Sequence, residues 1–298
     1  MSWDDLRFFL ELARCSRLTT AARRLGVEHT TVARRVQAFE AATGVPFFLR
    51  TSTGYRLTEA GDALLPAAMA MEQAYGVVER SCGARTNDLT GLVRIGCNEA
   101  YGAMILPRHV AALTKRHPGL NIDILALPRA IQLPRHEADI VITIDRPKRG
   151  PYTVVKLAEY VLRLYASPDY LASRPAIAGR DDLRNHAFVS YIDDLALAKN
   201  VPSPNAITQP ELTPVRSTSI LAQRTAAEAG AGIVILPRYI GAASPALREV
   251  LAHEVEFVRT YWMTTPMNLK GVRRVRATWD FLRDMAAKEA PLLSGASL

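Results

Sequence analysis

The chain has 298 residues, 49% of them hydrophobic, and a formal net charge of +8. This length suits two domains or so with buried cores, and the positive balance points to an anionic partner, nucleic acid being the simplest. No apolar run of about 18 residues occurs, the N-terminus MSWDDLRFF opens on acidic residues where a signal peptide needs basic ones, and Cys15, Cys82 and Cys97 share no CxxC spacing, so neither a membrane span nor a signal peptide is expected and neither a disulfide framework nor a zinc site is indicated.

A cytoplasmic chain with three reduced thiols is therefore expected. Ser2 or Asp4 can cap a first helix whose Leu6, Phe9, Leu10 and Ala13 form an apolar stripe, ending near Arg14-Cys15-Ser16. From Thr19 to Glu40, Ala21, Ala22 and Leu25 recur at helical spacing, Gly26-Val27 interrupts, and Val32, Val36 and Phe39 resume the period. Helix, tight turn, helix is the pattern of a helix-turn-helix, whose second helix lies in a DNA major groove. Thr19 is placed to cap the first of these helices, with its N-terminal amides near a phosphate. The other helix begins near Glu28 and presents His29, Thr30, Thr31, Arg34 and Arg35 on its polar face. A structural helical pair has the same period. Charge favours DNA, since the segment from Arg14 to Arg56 carries eight arginines against Glu28 and Glu40.

Pro46 to Arg50 and Tyr55 to Leu57 read as short strands around Thr51 to Gly54. They form a wing whose Arg50 and Arg56 reach the sugar-phosphate backbone, or else a plain hairpin closing the small core. Thr58 caps a long helix with Ala60, Leu64, Ala67, Ala68, Met71, Ala74, Tyr75, Val78 and Cys82 on one face, bent at Pro66 and stopped by Gly83. At about 37 Å, with no domain of its own to lie on, it suits pairing with a second copy of itself. The polar stretch Arg85 to Thr90 marks a domain boundary.

Beyond it the chain alternates between element types. Leu92 to Ile95 is a strand, Met104 to Arg116 a helix, Asn121 to Leu127 a strand and Asp139 to Ile144 another. A second unit follows in Val161 to Ala166, Phe188 to Tyr191, Pro214 to Arg216, the helix Ile220 to Ala229 and the strand Gly232 to Leu236. Val258 to Thr264 then reads as a strand and Val272 to Ala287 as an amphipathic helix. The alternation signals an α/β unit with a largely parallel sheet.

Catalytic signatures are missing: there is no GxSxG, HExxH, P-loop or dinucleotide fingerprint. Gly230-Ala231-Gly232 precedes a strand and fits a helix C-cap. His109, His117, His136, His186 and His253 have no partner at metal spacing. Cys97 reads as a buried core thiol. No catalytic residue, metal ligand or cofactor is assigned.

In WDDLRFFLELA, TTAARRLGV, TVARRVQAFE and YRLTEAGDALLP, and then in VRIG, HPGLNIDI, EADIVI, LYASPDYLA and AGAGIVILP, the chain resembles the LysR-type transcriptional regulators. The resemblance runs from Trp3 to about Ala287. It implies a multi-domain protein: a winged helix-turn-helix (1–57), a linker and dimerisation helix with a hinge (58–90), and an effector domain (91–298) like the periplasmic binding proteins. That domain has two α/β lobes, 91–159 with 262–298 and 160–261. The resemblance also implies a homotetramer, a dimer of dimers on an interrupted palindrome, switched by a small molecule in the interlobe cleft, with RNA polymerase as a candidate protein partner.

The family's base-contacting positions fall on His29, Thr30 and Arg34, with Arg50 in the wing. Glu28-His29-Thr30 stands where Ser-Gln-Pro is typical, which alters the expected base preference. The family's ligand-binding segment falls on Cys97, Asn98, Glu99, Ala100 and Tyr101, with Asn98 and Ala100 where hydroxyls are frequent. Glu99 would oppose a carboxylate and Arg129 attract one. Thr143, Asp145, Tyr191, Thr218 and Ser219 complete the candidates. The competing readings are a DNA-binding protein whose C-terminal domain serves only oligomerisation or protein contacts, and an architectural DNA binder.

Overall fold

The computed structural model of the chain describes residues 2–52, 54–81, 89–127, 138–147, 150–192, 201–210 and 212–295. Ser2 wins the competition to cap α1 (Trp3–Cys15): its Oγ accepts from the Asp5 amide and the Asp5 carboxylate accepts from the Ser2 amide. Burial on α1 extends beyond the expected stripe to Phe8, Leu12, Glu11, Arg14 and Cys15. The expected stripe was too narrow because this helix lies between α2 (Leu18–Leu25) and α3 (His29–Thr43) on one side and α4 (Glu59–Ser81) on the other.

α2 starts earlier than expected. Arg17 is its N-cap and makes no side-chain cap bond, while Thr19 is the second helical residue. Starting there brings Leu18 against the Phe8, Leu12 and Val32 cluster, so burial decides the boundary over capping preference. Gly26 and Gly44, at φ of 68° and 71°, end α2 and α3 in the left-handed conformation that glycine adopts without a Cβ penalty.

β1 (Phe48–Thr51) and β2 (Gly54–Leu57) pair antiparallel, with Phe48 opposite Leu57 and Thr51 opposite Gly54. The Glu40 carboxylate accepts from the Phe47 and Phe48 amides at 2.7 and 2.9 Å, and the Tyr55 amide donates to the Ser16 carbonyl at 2.7 Å. Both ends of the hairpin are thereby fixed to the helices.

The Thr58 hydroxyl caps α4 by accepting from the Gly61 amide at 3.0 Å. The helix has 23 residues, or about 35 Å. Its first half is not free for a second copy: Ala60, Leu64, Leu65, Ala68 and Met69 lie against Leu6, Phe9 and Leu10 of α1. Ala67, Ala74 and Met71 face solvent, Met71 being 45% exposed, while Tyr75, 43% exposed, stacks one ring face on Trp3 with centroids 4.9 Å apart. The Val78 side chain, Cys82, Gly83 and residues 85–88 of the expected boundary lie outside the described residues.

The remaining strands form one nine-stranded sheet in the order β4-β3-β5-β11-β6-β9-β7-β8, with β10 also on β6. At one end β3 (Gly91–Asn98) runs parallel to β4 (Leu120–Leu127) and β5 (Ile140–Thr143); at the other β7 (Ala187–Ser190) runs parallel to β8 (Leu212–Arg216) and β9 (Ile233–Pro237). Two long strands, β6 (Tyr152–Ala166) and β11 (Phe257–Pro266), pair antiparallel and join the ends. One half of β11 pairs with β5, and the far half of β6 with β9 and β10 (Arg248–Val250). This gives two lobes on shared crossing strands. The register slips between Tyr261, opposite Ala158, and Trp262, opposite Lys156, which marks a bulge where the lobes meet.

Only the second half of β6 was expected as a strand. Tyr152 to Glu159 is half-buried or exposed and lacks the continuous apolar run that marks a strand covered on both faces. The helix expected from Met104 to Arg116 is α6 (Leu106–Arg116), and a separate short helix, α5 (Glu99–Met104), precedes it, since Pro107 lacks the N–H that would continue α5 and suits the first turn of α6. α7 (Pro168–Ala172) and α8 (Ile220–Glu228) belong to the second lobe, as does α9 (Arg238–Gly241) directly after β9. α10 (Arg273–Ser294) returns to cover β6 and β3.

Candidate DNA interface and interlobe cleft

The face of α3 opposite its buried Val32, Val36 and Phe39 carries Thr30 and Arg34, both exposed, while His29, at i−7 from Val36, is exposed at the first residue of the helix. Gln37 continues this stripe at i+7 from Thr30 and is exposed as well. Its helical spacing from Arg34 was the signal that sequence reasoning passed over. Thr31 is half-buried, and Thr19 is exposed on α2. Arg50 and Arg56 are exposed on the wing. Arg17, Arg34, Arg50 and Arg56 carry no ion pair among the described residues.

The other arginines of this segment are differently used. Arg35 turns back to α1, 3.7 Å from Asp4, 3.8 Å from Asp5 and 5.8 Å from the centre of the Phe8 ring. Arg23 faces Asp123 at 3.8 Å. Arg14 and Arg24 are buried. Of the eight arginines taken as a phosphate footprint, two are thus buried and two more, though exposed, face acids.

The two parallel ends of the sheet aim their strand C-termini at each other across the crossing strands. On the first lobe Asn98 ends β3 and caps α5, its Oδ1 accepting from the Tyr101 amide at 3.0 Å. Glu99 reaches the second lobe: one carboxylate oxygen accepts from the Ser219 hydroxyl and the other from the Ile220 amide, each at 2.9 Å. Ser219 is the N-cap of α8, its Oγ also accepting from the Ala222 amide at 3.1 Å. Thr218 and Tyr191 are half-buried beside it. Burial first, and the Glu99 charge second, push the Tyr191 hydroxyl above its ordinary range. Thr143 donates to the Asp145 carbonyl at 2.7 Å.

Four tyrosines fill the joint beneath. Tyr261 of β11 stacks on Tyr160 of β6 with centroids 4.1 Å apart, meets Tyr101 of α5 edge-on at 4.8 Å, and shares a 2.7 Å hydroxyl bond with Tyr239 of α9. All four are buried, and burial holds each hydroxyl above its ordinary pKa. Tyr101 and Ala100 are therefore core residues at this joint, with the Tyr101 hydroxyl directed at the Met285 sulfur; of the expected segment only Asn98 and Glu99 are half-buried, and the Asn98 side chain also bonds the Tyr261 hydroxyl. Arg129 lies outside the described residues. A polar cavity of about 430 Å³ adjoins the cleft on the second lobe, lined by Ser190, Asn205, Gln209, Thr213 and Arg216.

Residues 3–62 match the model of bacterial regulatory helix-turn-helix proteins of the lysR family, and residues 86–287 match the LysR substrate binding domain. The chain belongs to the LysR family. It is a transcriptional regulator, not an enzyme. It is 25% identical to the Mau operon transcriptional activator of Paracoccus denitrificans over 97% of this chain and 98% of that protein. With the transcriptional activator AmpR of Pseudomonas aeruginosa it shares 28% identity over 96% of both. In fold it is similar to a full-length OxyR variant from Pseudomonas aeruginosa, with a TM-score of 0.61 at 19% identity over 96% of this chain and 94% of that one. The LysR-type regulator CrgA of Neisseria meningitidis gives 0.57 at 21% identity, over 96% and 99%.

In this LysR-family chain the DNA-binding head and the first lobe share a buried ionic network that sequence reasoning missed. Glu11 of α1 lies 2.6 Å from Arg274 of α10, 3.2 Å from Arg14 and 3.8 Å from Arg24. Arg24 in turn bonds Asp139, just before β5, at 2.7 Å, and Asp139 accepts from the Arg94 amide at 2.8 Å. Arg14 also bonds Glu72 of α4. Burial by itself would raise the Glu11 pKa, but the three guanidiniums outweigh it and hold the carboxylate at about 2. Two of these pairs, Glu11 with Arg274 and Arg24 with Asp139, join the head to the effector domain. No grouping of His, Cys, Asp and Glu suited to a metal occurs among the described residues, and no helix there is long and apolar enough to cross a membrane.

Proposed function

We propose that the protein is a cytoplasmic, sequence-specific regulator that reads double-stranded DNA with His29, Thr30, Arg34 and Gln37 of α3 in the major groove. Arg50 and Arg56 of the wing, Arg17, and Thr19 near the start of α2 engage the flanking phosphates. The observation that carries this is the division of α3: one face is sealed into the head by Val32, Val36 and Phe39, and the opposite face offers donors and acceptors with no competing contact among the described residues. Residues 1–57 form the head, 58–90 the linker and hinge, and 91–298 the effector domain. The exposed Met71 and Tyr75 side of α4 supports pairing of two copies, and two such dimers span an interrupted palindrome. A small molecule in the cleft near Asn98, Thr143, Tyr191, Thr218 and Ser219 shifts the balance between lobe arrangements, and with it the spacing of the heads. RNA polymerase is the protein partner that suits a regulator bound at a promoter.

Footprinting tests this directly. Arg34→Ala abolishes operator protection while leaving the oligomeric state unchanged; a wild-type footprint from that variant overturns the assignment of α3. The reading in which the effector domain serves assembly alone draws on one observation, the four tyrosines that already fill the joint. A thermal-shift panel of metabolites separates the two, because a ligand selective for the folded state raises the melting temperature.

A further inference from the structure

Resting on the reading of the cleft as an effector site, we infer that Glu99 is a built-in carboxylate ligand: it bridges the lobes, occupies the anion seat formed by Ser219 and the first amide of α8, and so makes the cleft select neutral or cationic effectors. Each of its oxygens has its own donor on the opposite lobe, the Ser219 hydroxyl and the Ile220 amide, both at 2.9 Å. Such a pairing of hydroxyl and helix N-terminal amide is what a free carboxylate would seek. In this chain it is already satisfied from within.

The bridge is held at both ends. Glu99 follows Asn98, whose side chain fixes the first turn of α5, and Ala100 and Tyr101 anchor that turn in the core. On the other side the Ser217 hydroxyl accepts from the Ser219 amide at 3.1 Å and the Ser217 carbonyl accepts from the Gln223 side chain at 2.8 Å, so the α8 start is shaped before Glu99 arrives. A second carboxylate at the same donors would sit in contact with Glu99, and like charges at that range repel. Asp145, close enough to Tyr160 to raise its hydroxyl pKa, adds a further negative group at this joint, opposed there by Arg259. An amine or a neutral hydrogen-bond donor meets no repulsion from Glu99 and gains it, the Tyr191 hydroxyl and Thr218 as neighbours.

The test replaces the tethered carboxylate by a free one. Glu99→Ala leaves the α8 seat vacant, and sodium acetate is the probe, with sodium chloride of equal ionic strength as control. The variant melts below the wild type and regains stability saturably with acetate, whereas the wild type follows the chloride control. An equal acetate response in both proteins, or none in either, overturns the proposal. Glu99→Gln, which fills the seat without charge, melts lower but stays indifferent to acetate, so misfolding of the alanine variant does not remove the test; a wild-type melting temperature for Glu99→Gln overturns the bridge. Ser219→Ala keeps the carboxylate and loses one donor, and shows no gain toward acetate. In a metabolite panel, a carboxylate that stabilises the wild type more than amines do overturns the selectivity. If no metabolite of any charge acts, the effector reading fails while the acetate result still stands, so the two failures are distinguishable.

Discussion

Replacing Glu11 by Gln removes the carboxylate at the centre of Arg14, Arg24 and Arg274 while keeping its shape. Glu11 is only 3% exposed, so little solvent is at hand to compensate the stranded guanidiniums. Holding the carboxylate at about 2 instead of 4.5 is worth about 3 kcal/mol. Breaking a buried ion pair from one side costs about 3–5 kcal/mol, and the two routes agree. The sign follows from the depressed pKa: this stability is fully present above pH 4.5 and is lost as pH falls toward 2. Urea unfolding between pH 7 and pH 3, followed by tryptophan fluorescence, should therefore show a variant destabilised by about 3–5 kcal/mol at neutral pH, with a shallower acid limb than the wild type. Because Trp3 reports on the head and Trp262 and Trp279 on the effector domain, the variant should also separate their transitions. A Gln variant within about 1 kcal/mol of wild type at pH 7, with the same acid limb, refutes the reasoning.

Arg35→Ala, in contrast to Arg34→Ala, leaves operator affinity near wild type and costs under about 1 kcal/mol, because Arg35 and Asp4 are each 45% exposed and the Asp4 and Asp5 pairs are long, at 3.7 and 3.8 Å; a mobility shift matching the Arg34→Ala loss contradicts this. Tyr261→Phe strands the buried Tyr239 hydroxyl and destabilises the effector domain by about 1–3 kcal/mol, seen as a lower melting temperature in calorimetry; an unchanged melt contradicts it. Burial pushes the Cys97 thiol up to about 12, so iodoacetamide at pH 8 leaves it unlabelled in the native protein. Peptide mass spectrometry checks this, and labelling equal to that of the denatured chain counts against it.

The head was legible because its signals are local. Ala21, Ala22, Leu25, Val32, Val36 and Phe39 keep a helical period, and Gly26 stands where the chain needs a left-handed turn. Charge was not legible in the same way. Arg14 and Arg24 read like Arg34 and Arg50 in sequence, and what distinguishes them is a set of acids far along the chain: Arg24 meets Asp139 across 115 positions and Arg274 meets Glu11 across 263. Capping at Thr19 was a local preference that lost to the burial of Leu18. In the effector domain the short parallel strands announced themselves by apolar runs, whereas the first half of β6 did not, its pairing with β11 being wholly long-range. Glu99 and Ser219 were each visible as candidates. That they bond each other depended on the crossing strands that bring α5 to α8.

The central claim is that α3 reads a specific sequence as part of a symmetric assembly. Selection of genomic DNA fragments by the purified protein at fixed, stated salt tests it most directly, because the phosphate contribution to affinity changes steeply with ionic strength. The account predicts recovery of a few sites with interrupted dyad symmetry, lost on Arg34→Ala. Uniform recovery of the genome, equal for wild type and Arg34→Ala, would contradict it and mark a binder of the DNA backbone alone.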